Sequence, residues 1–235
     1  MLERLEKLQK LRGALAKREG CGADFDARLK AVKAWQQVRL ARTYADLAAD
    51  SRYAPAIGFF LNELYGVKDS TIRDRDLVRM YPTMKRLLPK FAFDAVAMAL
   101  ELDVLAEEFD QALANALGKQ PLTEATYLTA FRLVGRREDR LRQVVLMQAV
   151  GEGLDRMVKK PLIFSTLKML RAPAKLAGLG EMQQFLEAGF TAFRYMNGAD
   201  YFLSTVASRE TLLIERIMSG VSNPFATKND RNPKN

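Results

Sequence analysis

The sequence predicts an all-α fold, a single-domain multi-helix bundle of about eight to ten helices. Three observations predict it. Apolar residues recur at helical spacing along nearly the whole chain, no strand-like alternation persists, and Gly and Pro punctuate the periodic stretches. No fixed-period repeat is visible. Hydrophobic residues make up 49% and charged residues 28% of the 235 positions. A core of that size can hold by packing alone.

The elements follow in order. Leu2, Leu5, Leu8, Leu11 and Leu15 mark a first helix ending near Gly20. Phe25, Leu29, Val32, Leu40, Thr43 and Leu47 mark a longer second one, with Trp35 beside its stripe. Pro55 opens a third helix that runs to Tyr65 and stops at Gly66. After the loop Val67–Ser70, Thr71 with Asp74 three residues on resembles a capping box. The fourth helix passes Leu77, Met80 and Tyr81, is interrupted or kinked at Pro82 and ends at Pro89.

A long helix over 91–117 carries Val96, Leu100, Val104, Phe109 and Leu113 near one side. Gly118 to Pro121 is a turn, and Thr123 caps the helix holding Tyr127 and Phe131. Further helices cover 137–159, then Leu162–Leu170 ending before Pro173, then 179–197 and 199–219. Gly189, on the face shared by Met182, Phe185, Phe193 and Met196, allows close helix approach. The expected organisation is one domain, residues 1–220, and a disordered polar tail, 221–235.

The composition excludes much chemistry. The chain has no histidine, so Ser-His-Asp triads, Cys-His dyads, His-ligated zinc, proximal-histidine haem and Glu-x-x-His di-iron sites are all closed to it. Cys21, the single cysteine, has no intrachain disulfide partner and cannot build a Cys-based metal site; it suits a reducing compartment. No catalytic residue, metal site or cofactor is expected. No stretch approaches a membrane span, and the N-terminus alternates charge with leucine rather than forming a signal peptide. A cytoplasmic location is expected. The net charge of +9 raises the question of nucleic acid. Most basic residues are interleaved with carboxylates, however, and the run from Arg136 to Arg140 reads as a solvated, salt-bridged face.

Polar residues placed where apolar ones belong mark the candidate site. In the helix around 71–81, Arg73 falls in the stripe of Leu77, Met80 and Tyr81, with Asp76 on its flank. In the preceding helix, Glu63 lies at the edge of the apolar side. A partly buried Glu63–Arg73 ion pair with Tyr65 and Asp76 close by is therefore expected. In the last helix, Phe202 and Val206 continue to Leu213 and Ile217, which leaves Arg209 or Glu210 at the intervening seam position. Such charges either set helix register or line a cavity for a carboxylate, phosphate or amine. The Phe and Met residues at helical spacing read as core, with the lining of a lipid or acyl pocket as the alternative.

Two blocks carry a resemblance. One is Tyr53-x-Pro55-Ala56-x-x-Phe59-Phe60-Leu61-x-x-Leu64-Tyr65-Gly66-x-Lys68-Asp69, followed by Arg73-Asp74-x-Asp76. The other is Gly189-Phe190-x-Ala192-Phe193-Arg194-x-Met196-x-Gly198-Ala199-Asp200-x-Phe202-Leu203, followed by Arg209-Glu210. Together they resemble a family of uncharacterised bacterial all-helical proteins. The resemblance implies one architecture shared by Glu63, Arg73 and the Arg209-Glu210 pair, and no activity.

Three functions remain in view. The first is a non-catalytic helical protein that binds a protein partner or a second copy of itself. The second is a small-molecule or acyl-ligand binder, or a histidine-free enzyme, with a Glu/Arg-lined apolar cavity. Weak nucleic-acid binding through a basic surface ranks last, because the charge is dispersed.

Overall fold

The structure, a computed structural model, describes residues 10–11, 13–15, 22–64 and 90–226, with backbone alone at 63–64 and 90–93. From residue 22 onward the described residues form ten α-helices and one π-helical turn; 10–11 and 13–15 are also helical, and no strand occurs among the described residues. The helices are α1 (Ala23–Thr43), α2 (Ala45–Ala49) and α3 (Ala54–Phe59), which runs on into the π turn Phe60–Leu64. Then come α4 (Lys90–Leu117), α5 (Glu124–Val134), α6 (Arg137–Val158) and α7 (Pro161–Met169). The series closes with α8 (Arg171–Leu176), α9 (Gly180–Met196) and α10 (Asp200–Met218).

The boundaries have local causes. Pro55 and Pro161 sit in the first turns of α3 and α7, where a missing N–H costs nothing. Thr123 caps α5 through a capping box with Thr126, as its sequence position predicts. Gly118, at φ 56°, follows α4, and Asn197 and Gly198, at φ 52° and 110°, follow α9. All three positions turn the chain through left-handed backbone.

The short helix before Pro173 ends at Met169, as expected, and a further one follows at once, with Pro173 in the first turn of α8, a position that tolerates proline. One boundary differs from expectation. The long second helix expected to reach Leu47 breaks at Tyr44, which turns away at φ −114°, ψ 19° before α2 begins. Leu47 is still buried. The cause of the break lies on α10 and is described below.

Packing divides the core into two adjoining parts. One gathers Leu29 and Val32 from α1, Leu113 and Leu117 from α4, Tyr127 and Phe131 from α5, Val144 from α6 and Ile217 from α10. The other gathers Tyr44, Leu47, Tyr53 and Ile57 with Phe193 and Met196 of α9 and Phe202 and Leu203 of α10. Phe193 and Phe202 are among the fully buried side chains and meet edge to face at 6.5 Å, so these aromatics are core. Gly189 behaves as its face predicts, since a methyl there would lie 2.9 Å from the Phe59 ring.

Beyond α10 the chain folds back. Pro224 is fully buried, Phe225 meets Trp35 at 5.7 Å, and Arg216 donates to the carbonyls of Asn223 (3.1 Å) and Ala226 (3.0 Å). Residues 221–226 are thus the described part of the expected tail; 227–235 lie outside the described residues.

Candidate functional site

Arg209 and Glu210 meet at the seam where sequence spacing puts them, and their partners lie at the α1–α2 break. Arg209 donates to both carboxylate oxygens of Asp46, at 2.7 and 2.6 Å, and to the Thr43 carbonyl at 2.9 Å. The carbonyl is one that the broken helix leaves without an internal donor. Hydrogen bonding from Arg209 holds the Asp46 carboxyl below its usual range. Glu210 accepts from Arg39 at 2.6 Å and from the Tyr44 hydroxyl at 2.7 Å. The pair on α10 therefore fixes Tyr44 from both sides, and with it the break.

From Glu210 the polar seam continues inward. Burial alone would lower the Arg39 pKa, but attraction and hydrogen bonding to Glu210 carry it above its ordinary value. On α4, Glu107 accepts from Lys33 at 2.8 Å and from Gln111 at 3.1 Å, while Asp110 accepts from Gln36 at 2.8 Å. Burial pushes the Asp110 carboxyl up to about 7, against the pull of Lys33 and the Gln36 hydrogen bond. The Tyr127 phenol is pushed up to about 12 by the same desolvation.

Arg140, only 5% exposed, is the least exposed cation of this seam. Its guanidinium lies 3.5 Å from the Phe131 ring centre and 4.1 Å from that of Phe109, and its Nε donates to the Gly135 carbonyl at 3.1 Å. Its Nη2 has no hydrogen-bond partner among the described residues, and the aromatic faces flank the charge instead. Burial pushes it down to about 10, so it stays charged at neutral pH. The reading of 136–140 as a solvated face is correct for Arg136, Arg137, Glu138 and Asp139, which pair at the surface. For Arg140 it is wrong: one turn before buried Val144, it shares that residue's inward stripe.

Arg209 and Arg140 thus serve backbone carbonyls at irregular places, and two further side chains do the same. Gln37 donates to the Leu61 carbonyl in the π turn at 2.8 Å. Arg52 donates to Met196, Asn197 and Gly198 carbonyls at the end of α9, at 2.8, 3.2 and 3.2 Å. Chemically, the seam neutralises stranded carbonyls and sets register. Of the other expected site residues, Tyr65, Arg73 and Asp76 lie outside the described residues, as does the Glu63 side chain. Sequence reasoning missed Arg39, Tyr44, Asp46, Glu107, Asp110 and Arg140. Only Arg140 had a local signal, its spacing from Val144.

Two surface features complete the candidates. An open groove of about 420 Å³ runs between α3 and α9, lined in part by Pro55, Phe59, Asn62 and Thr191. The α7–α8 pair is more exposed. No α7 residue is buried, and Leu162, Met169 and Leu176 are 81%, 79% and 91% exposed. Among the described residues no cluster of three or more metal-ligating side chains occurs, and no helix is long and apolar enough to cross a membrane.

No curated protein matches the chain, and no solved structure does. Residues 16–224 match a family described as a domain of unknown function (DUF8198), and the chain belongs to that family.

Proposed function

We propose that the protein is a non-catalytic helical interaction protein whose contact surface is the α7–α8 pair. The observation behind this reading is the outward projection of Leu162, Met169 and Leu176 from two consecutive short helices. An isolated exposed leucine needs no explanation, whereas a concentration of large apolar side chains on one exposed element marks a contact surface.

The small-molecule alternative has weaker support. The charged heads of Arg209 and Glu210 are engaged by Asp46, Arg39 and Tyr44, which leaves them to hold the chain rather than a ligand. Weak nucleic-acid binding through a basic surface also has less behind it, since cations such as Arg136, Arg137 and Arg142 are paired with carboxylates.

Light scattering and chemical cross-linking of the purified chain test the proposal, with the Leu162→Glu/Met169→Glu/Leu176→Glu variant alongside. The wild type should form an assembly that the variant loses while its circular dichroism is unchanged. A wild type that associates neither with itself nor with any other surface would sink the reading.

A further inference from the structure

The segment bearing the exposed apolar residues also carries charge of one sign only. Between Asp155 and Glu181 the sequence has six cations (Arg156, Lys159, Lys160, Lys168, Arg171 and Lys175) and no carboxylate. Lys159 pairs with Asp155, and Arg171 with Glu187. Lys160 and Lys175 are exposed and form no ion pair among the described residues. Lys168 extends over the Phe164 ring at 4.4 Å.

On α7, Leu162 and Met169 lie seven residues apart and so point within about 20° of each other. Ser165 and Thr166 share that outward side, and Ile163, Phe164 and Leu167 turn partly inward. Phe164 stacks on Phe190 of α9 at 6.2 Å, which anchors the helix to the bundle. Lys168 falls on the flank of the outward stripe. Apolar side chains outward with lysines at their margin is the arrangement of a helix lying in a lipid interface. Lysine stems lie along the boundary while their ammonium groups reach lipid phosphates. A protein partner would instead favour aromatic and arginine anchors, with lysine depleted from the contact.

We infer that the α7–α8 pair docks on an anionic lipid bilayer surface, with Leu162, Met169 and Leu176 entering the headgroup–acyl boundary and Lys160, Lys168 and Lys175 contacting lipid phosphates. This rests on the contact surface proposed above and names its partner. It requires no spanning segment, in keeping with the absence of a membrane-crossing helix among the described residues.

Vesicle flotation of the full chain tests it, using vesicles of equal parts phosphatidylcholine and phosphatidylserine and vesicles of phosphatidylcholine alone. Each cation near an anionic leaflet raises partitioning about fivefold. Binding to the anionic vesicles should therefore exceed binding to the neutral ones by at least about tenfold and fall as salt rises. Both the Leu162→Glu/Met169→Glu/Leu176→Glu variant and a Lys160→Glu/Lys168→Glu/Lys175→Glu variant should lose it with unchanged circular dichroism. No flotation of the wild type on anionic vesicles overturns the inference, as does flotation that either variant retains. If the wild type fails to float yet self-associates, and the apolar variant abolishes that, the contact surface stands with a second copy as its occupant. If the wild type neither floats nor associates, inference and contact surface fall together.

Discussion

Arg209 and Asp46, 163 positions apart in sequence, form a two-pronged ion pair with bonds of 2.7 and 2.6 Å. The same guanidinium takes the Thr43 carbonyl, so one side chain binds a helix end and the first turn of the next helix. Arg209→Ala should destabilise the protein by about 1–2 kcal/mol, because a partly exposed pair contributes modestly and the carbonyl regains water. Arg209→Lys should recover less than half of that, since an ammonium cannot fork onto the carboxylate and reach the carbonyl together. Urea unfolding of the two variants measures both; equal stability of wild type and alanine variant would show that the break needs no clamp.

The neighbouring pair is deeper. Arg39 and Glu210 side chains are 13% and 19% exposed and lie 2.6 Å apart. Glu210→Ala strands the Arg39 charge and removes the acceptor of the Tyr44 hydroxyl, and should cost about 3–5 kcal/mol. Arg39→Met combined with Glu210→Leu should recover much of that loss, because desolvation offsets most of the pair's attraction, and fall short of the wild type by about 1–3 kcal/mol for the lost Tyr44 hydroxyl bond. A double variant that adds the two single losses would contradict this account.

Asp110 gives the protein a pH dependence. Its folded carboxyl is pushed up to about 7 from an ordinary value of 3.8. The folded state therefore holds more protons than the unfolded state across that window. Stability from this group is highest below it, declines as pH rises through it, and is level above it. The groups facing the carboxyl are Lys33, Gln36, Glu107 and Arg140. Asp110→Asn keeps an oxygen for Gln36 and removes the buried charge. At about pH 8 it should be more stable than the wild type by on the order of 2 kcal/mol, a gap that narrows toward pH 4. Thermal unfolding across pH checks it, and a gap that widens on acidification would reverse the assignment.

The fold was legible because helical periodicity is a local signal. Leu100, Val104 and Leu113 phase α4, and Thr123 starts α5, without reference to anything distant. The break at Tyr44 was not legible, because Tyr44 and Thr43 are compatible with a continuing helix. What ends it sits on α10, in the carboxylate of Glu210 and the guanidinium of Arg209. The seam position of that pair could be read from the spacing of Phe202, Val206 and Leu213. Its partners could not, since a charge pattern does not say which of several helices will face it. Arg140 shows the opposite failure: its phase with Val144 was on view, but four charged neighbours made the run look solvated.

The return of Phe225 onto Trp35 has a practical consequence. Trp35 is the chain's one tryptophan, and it is stacked on Tyr127 at 3.8 Å while Phe225 covers it from the C-terminal side. Its fluorescence is thus a built-in gauge of whether the end of the described chain is seated on α1. Anything fused after residue 226 can be judged by that emission before any assay of association begins.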